Sequence, residues 1–131
     1  ESSQEDIFAN ADVLSLHIPF TSETKRMVGE LYLSSFAKNI WFINTSRGQV
    51  VNTEDVVKAI QSKKIIGAGL DVLEYESSSF ENLSAEQLPE AFQQLRKLDN
   101  VILSPHVAGW TFESHRKIAE VLANKVAHVL I

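Results

Sequence analysis

Residues 40–72 decide the fold: Ile40-Trp41-Phe42-Ile43-Asn44, the polar stretch Thr45-Ser46-Arg47-Gly48, a helical segment opened by Asn52 or Thr53, then Ile65-Ile66-Gly67-Ala68-Gly69-Leu70-Asp71-Val72. The two flanking runs are short, β-branched and apolar almost throughout, the pattern of strands buried on both faces. Between them Val56, Val57 and Ile60 share one helical face behind a side chain suited to capping a helix. Strand, helix, strand in so short a span is a βαβ unit, which joins parallel strands by a right-handed crossover.

The same alternation extends outward. Runs at 13–17 and 101–103 read as further strands, giving four in all. Ser3 with Asp6 makes a capping box before Ile7 and Phe8, and Thr111 opens a long helix carrying Ile118, Val121, Leu122 and Val129. The connection at 76–98, with Ser77-Ser78-Ser79, is too long for a tight link. Leu88-Pro89-Glu90 fits a helix start with proline at the first helical position, after which Ala91, Phe92 and Leu95 share a face. Alternation of this kind predicts an α/β domain, a parallel sheet with helices on both faces.

Composition agrees with one folded domain. The 131 residues are 44% hydrophobic and 22% charged, ordinary for a globular chain. Twelve basic against seventeen acidic residues give a net charge of -5, the wrong sign for neutralising many phosphates, so no nucleic-acid partner is expected. With no cysteine there is no disulfide and no thiolate chemistry, and a cytoplasmic setting is the default expectation. No apolar stretch approaches the roughly 20 residues that span a bilayer, so no membrane association is expected. The chain opens on Glu1 rather than methionine and runs to Ile131 without a helix stop signal; it reads as a piece of a longer protein.

In open parallel sheets, ligands bind beyond the carboxyl ends of the strands. There the four runs end in His17-Ile18-Pro19, in Asn44-Thr45-Ser46-Arg47-Gly48, in Asp71 followed by Glu74 and Glu76, and in Ser104-Pro105-His106. Singly, each has a bland reading: a strand-end arginine is often a solvated surface group, and polar side chains often satisfy loop amides. Jointly, two histidines, an arginine and carboxylates at one edge point to a site. His106 and His115 lack the spacing of a metal-binding pair, and no metal is expected. Neither a Gly-x-Ser-x-Gly elbow nor a Walker loop occurs. Gly67 and Gly69 lie inside a strand, where missing side chains permit close approach of backbone or ligand. Trp110 and Phe112 read as core or pocket wall, with core the favoured reading.

The strings Ala11-Asp12-Val13-Leu14-Ser15-Leu16-His17-Ile18-Pro19, Phe42-Ile43-Asn44-Thr45-Ser46-Arg47-Gly48, Gly67-Ala68-Gly69-Leu70-Asp71-Val72 and Val101-Ile102-Leu103-Ser104-Pro105-His106-Val107-Ala108-Gly109 resemble, in order and over nearly the whole chain, the D-isomer-specific 2-hydroxyacid dehydrogenases. These include the phosphoglycerate, glycerate and D-lactate dehydrogenases. The resemblance implies that residues 1–131 are the C-terminal portion of a Rossmann-like NAD-binding domain. It implies NAD rather than NADP as cofactor, a small 2-hydroxy or 2-keto acid as substrate, and a homodimer. By the same resemblance Arg47 would hold the substrate carboxylate and carbonyl, His106 would be the acid/base, and Glu76 would pair with His106. Asp71 would contact the nicotinamide end, while His17, Ile18, Pro19, Thr45, Ser46, Arg47, His106, Ala108 and Gly109 would line the coenzyme, largely through backbone groups. The family often has proline where this chain has Ser77, which leaves Glu74 as a second candidate for the histidine's partner. The Gly-x-Gly-x-x-Gly turn and the ribose-binding acidic residue of such domains are not in these 131 residues.

The chemistry suits the residue types. Oxidising a 2-hydroxy acid takes a hydroxyl proton as hydride leaves the same carbon, which calls for a base titrating near neutrality. A carboxylate beside imidazole favours its protonated form, and a guanidinium grips a carboxylate in a planar two-point fashion. Two other readings remain open at this stage: an NAD(H)-sensing corepressor of the same superfamily, and a structural remnant with a vestigial site.

Overall fold

The β-branched runs pair side by side. In the computed structural model, which describes residues 1–75 and 88–130, β1 (Val13–Leu16), β2 (Ile40–Asn44), β3 (Ile65–Leu70) and β4 (Val101–Leu103) form one sheet. All three pairings are parallel and the order is β1-β2-β3-β4. Glu76 and the serine run that follows it lie outside the described residues.

Five helices accompany the strands among the described residues: α1 (Gln4–Asn10), α2 (Glu30–Ser34), α3 (Thr53–Gln61), α4 (Glu90–Leu95) and α5 (Phe112–Leu130). Their starts follow local chemistry. Ser3 Oγ accepts from the Asp6 N–H at 3.2 Å while the Asp6 carboxylate accepts from the Ser3 N–H at 3.4 Å, the reciprocal box expected before α1. Asn52 caps α3 by accepting from the Asp55 N–H, and Thr111 caps α5 by accepting from the Ser114 N–H at 3.0 Å. Pro89 stands one position earlier than expected, as the residue before α4 rather than its first. Its extended ψ of 139° cannot belong to a helix interior.

The α/β class and the parallel sheet are as read, but the helices α1–α4 gather over one face and leave the other open. α3 packs on β3 between α2 and α4, and Phe8 of α1 meets Tyr32 and Phe36 edge-to-face at 5.1 and 4.9 Å. The reason is topological: strands in the order β1-β2-β3-β4 all step in one direction, so right-handed crossovers deliver every connecting helix to the same side. A doubly wound sheet covers its second face with crossovers that step the other way from the switch point. Strand burial alternates accordingly. Leu14, Leu16, Ile40, Phe42, Ala68 and Leu70 are buried, whereas Val13 and Trp41 in one row of the register, and Ile43 and Ile102 in another, are exposed.

On that open face the Trp41 indole lies over Gly67, where an added Cβ would sit 2.5 Å from Trp41 Cζ3. The close approach read from this glycine is therefore made by a neighbouring side chain. Trp110 and Phe112, expected in the core, are 75% and 82% exposed, and the apolar stripe of α5 (Ile118, Val121, Leu122 and Val126) is exposed as well. A helical apolar period shows that a face can be buried, without showing against what.

The core gathers Leu33, Phe36, Ile40, Phe42, Val56, Ile60, Ile65 and Leu95 between sheet and helices. Phe42 is fully buried on the central strand β2. Phe42→Ala is expected to cost about 3–5 kcal/mol through lost transfer energy and the cavity left behind, read as a lowered urea midpoint at unchanged slope.

Candidate active site

The register aligns the carboxyl ends of all four strands. Leu16 pairs with Asn44, Asn44 with Leu70, and Leu70 with Leu103, so His17, Thr45, Asp71 and Ser104 are each the next residue beyond one line. The ladder continues past the strands: Asp71 N–H donates to Asn44 O at 3.0 Å, Ser104 N–H to Leu70 O at 3.1 Å, and His106 N–H to Asp71 O at 2.8 Å. The structure thus brings the histidines, Arg47 and Asp71 to a single edge.

Two buried side chains shape this edge. Asn44, 1% exposed, accepts at Oδ1 from Ser46 N–H at 3.0 Å and from Ser46 Oγ–H at 2.9 Å, and donates from Nδ2 to Arg47 O at 3.2 Å. It folds the Thr45-Ser46-Arg47 turn around itself. The result is an exposed Arg47 whose Nη1 donates back to Ser46 O at 2.6 Å. Arg47 has no carboxylate partner among the described residues. Asn44 was legible in the sequence as a polar residue ending an apolar strand, but its role as the organiser of the turn was not.

Asp71 is the second, 4% exposed. Its carboxylate accepts from Ser104 Oγ–H at 2.6 Å, from Val107 N–H at 2.9 Å and from Ala108 N–H at 2.9 Å. Burial pushes this carboxyl up. The bonds from Ser104, Ala108 and Val107, together with the attraction of His106, outweigh that and hold it below the ordinary carboxylate value. Three protein donors take up part of the Asp71 carboxylate, whose two oxygens together offer about four acceptor sites. What it does here is build the turn that presents His106, whose φ of 55° lies in the left-handed region that a non-glycine residue holds only under surrounding constraint. The Ala108 N–H, expected at the coenzyme, is likewise spent on Asp71, as the Ser46 N–H is on Asn44.

Beside the Arg47 turn opens a cleft of about 640 Å³ lined by His17, Ile18, Pro19, Phe20, Thr45, Ser46, Arg47 and Gln49. One wall is apolar and the other polar. His17 is oriented by Ser15, whose Oγ lies 2.8 Å from its Nε2. An apolar wall facing hydroxyl and guanidinium groups suits the nicotinamide-ribose end of a dinucleotide, whose ring is flat and whose ribose needs polar partners. Glu74, the second candidate for the partner of His106, is engaged elsewhere: it accepts from Thr53 N–H at 3.1 Å and pairs with Arg26 at 2.9 Å.

A parallel α/β sheet with its polar groups gathered at the carboxyl edge is the architecture of nucleotide-binding domains. The model of the D-isomer specific 2-hydroxyacid dehydrogenase NAD binding domain matches residues 1–108, and the chain belongs to that family. A glyoxylate reductase from Thermofilum pendens is 39% identical over 124 residues, which are 95% of this chain and 33% of that protein. The 2-hydroxyacid dehydrogenase homolog 1 of Schizosaccharomyces pombe is 40% identical over 126 residues, 95% of this chain and 38% of that protein. Among solved structures, the NAD-complexed D-isomer specific 2-hydroxyacid dehydrogenase of Lactobacillus delbrueckii ssp. bulgaricus superimposes with a TM-score of 0.81 at 35% identity, covering 98% of this chain and 40% of that one. The chain therefore spans between a third and two fifths of these relatives.

Asp71→Asn turns one acceptor oxygen into a donor facing N–H groups, and is expected to destabilise by about 1–3 kcal/mol. The pH dependence has a definite sign. A carboxyl lowered on folding contributes stability that is complete above its unfolded pKa of about 3.9 and is lost as pH falls through the lower folded value. Urea titrations from pH 6 downward should show that acid loss in the parent and lack its Asp71 component in Asp71→Asn.

Proposed function

We propose that the complete protein is an NAD-linked oxidoreductase interconverting D-2-hydroxy acids and 2-oxo acids, with this chain supplying the anion-binding and proton-transferring groups. The observation that carries the proposal is the exposed Arg47 guanidinium, carried by the Asn44 turn and without a carboxylate partner among the described residues, at the same sheet edge as His106. Such a guanidinium calls for an anion, and a planar carboxylate accepts two parallel N–H donors from it.

NAD, when bound, supplies the hydride acceptor and donor. This chain's part is to orient and to move a proton. Arg47 would hold the substrate carboxylate, and the wall formed by Ile18, Pro19 and Phe20 would exclude water from the nicotinamide side. A ring nitrogen of His106 would take the hydroxyl proton during oxidation and return it during reduction. The Asp71 turn keeps His106 placed for that transfer. Glu76 is the carboxylate assigned to pair with His106, a reading supported by Glu74 being committed to Arg26 and Thr53. The enzymes among the relatives support catalysis over the corepressor reading, which nothing in them favours.

The test is turnover of a panel of 2-oxo acids, glyoxylate and pyruvate included, with NADH by the complete protein. Arg47→Lys keeps the charge and loses the planar fork, so kcat/KM should fall about tenfold or more, as expected for a lost charge-assisted bond of about 1.5–3 kcal/mol. Parent-like kinetics in Arg47→Lys with every acid turned over would remove Arg47 from the substrate site.

A further inference from the structure

Three segments, two of which line the cleft, meet at a carboxylate to which the reaction as described assigns no task. Glu74 follows β3 by four residues, and its side chain is 15% exposed. Oε1 pairs with Arg26 Nε at 2.9 Å, and Oε2 accepts the Thr53 N–H at 3.1 Å. Thr53 opens α3, directly beyond the turn that carries Arg47. Gly48, the neighbour of Arg47, lies flush on the same segment: an added Cβ would sit 1.9 Å from the Leu73 carbonyl carbon and 2.5 Å from Glu74 N.

Arg26 joins the third segment, the loop after β1. Thr24 Oγ1–H donates to Pro19 O at 2.8 Å, tying that loop to the cleft wall. Arg26 N–H donates to Gln49 O at 2.9 Å, and Val28 N–H to Val50 O at 3.1 Å, tying it to the strand of chain just after Arg47. Arg26 itself has a φ of 51°, a left-handed conformation that glycine adopts freely and an arginine does not. The backbone alone gives no reason for an arginine there. The side chain does, since its guanidinium lies on a largely buried carboxylate.

We propose that Glu74 and Arg26 are positioning residues: the carboxylate locks the cleft-wall loop, the Arg47 turn and the segment leaving β3 into one unit, and so aims Arg47 at the substrate. This rests on the assignment of Arg47 made above. An ion pair whose arginine is about half exposed adds little to stability by itself. Small errors in the placement of a substrate-holding group, by contrast, cost up to about a hundredfold in rate. The consequence belongs in kinetics rather than in melting.

The complete protein and its Arg26→Gly, Arg26→Lys, Glu74→Gln and double Arg26→Gly/Glu74→Gln variants distinguish the two. Arg26→Gly relieves the left-handed backbone but leaves the Glu74 carboxylate without its cation, two opposing effects, so its melting temperature should stay close to the parent's. At saturating NADH, its kcat for a turned-over 2-oxo acid should nevertheless fall about tenfold or more, and KM for that acid should rise. Glu74→Gln should show the same split, Arg26→Lys should recover part of the loss, and the double variant should be no worse than the poorer single one. Parent kinetics in Arg26→Gly and Glu74→Gln, or losses that only follow a lowered melting temperature, would overturn the proposal. If the parent reduces no 2-oxo acid with NADH, the oxidoreductase reading fails on its own. Amide exchange then decides: faster exchange at Val51 and Thr53 in Glu74→Gln supports the lock, and unchanged exchange rejects it.

Discussion

The constraint on which this edge depends is the in-register ending of four parallel strands. Beyond Leu16, Asn44, Leu70 and Leu103, which end in a row, the ladder runs on only through Asp71, Ser104 and His106, and the turn amides past it need other partners. Two side chains buried at that line supply them. Asn44 takes the amide and hydroxyl of Ser46 and donates to the Arg47 carbonyl, while Asp71 takes the amides of Val107 and Ala108 and the hydroxyl of Ser104. Neither has a buried atom left without a partner. Satisfying the strand ends and presenting Arg47 and His106 are the same act.

This economy explains why the site is displaced from the residues that make it. Arg47 and His106 are exposed; Asn44 and Asp71, which fix their turns, are among the least exposed polar groups in the chain. A buried, fully bonded polar group rigidifies its surroundings, because leaving any member unpaired in a low dielectric is costly. Glu74 extends the same logic one layer outward, linking helix α3, the loop after β1 and the exit from β3.

Much of this was legible in the residues. The four strands, the caps at Ser3, at Asn52 or Thr53 and at Thr111, and the gathering of His17, Arg47, Asp71 and His106 at one edge all follow from short-range rules: period, capping chemistry and the carboxyl-end placement of ligand groups. The motif resemblance and the family match agree along residues 1–108. The apolar positions of Trp110, Phe112 and the α5 stripe were misread or left incomplete, because hydrophobicity states a tendency to be buried and does not name the burying surface.

The α/β class and the polar groups at the strand ends could be read from residues adjacent in the chain, and the parallel pairing from the alternation of strand and helix. That the helices joining the strands lie on one face became visible only in the folded chain, since it follows from the spatial order of strands and not from their composition. Only the folded chain shows what Asp71 and Glu74 hold. Asp71 reaches residues 33 to 37 positions away and Glu74 reaches Thr53, 21 positions back. A carboxylate looks the same in sequence whether it faces a ligand, solvent or a turn, and its partners exist only once the chain has folded.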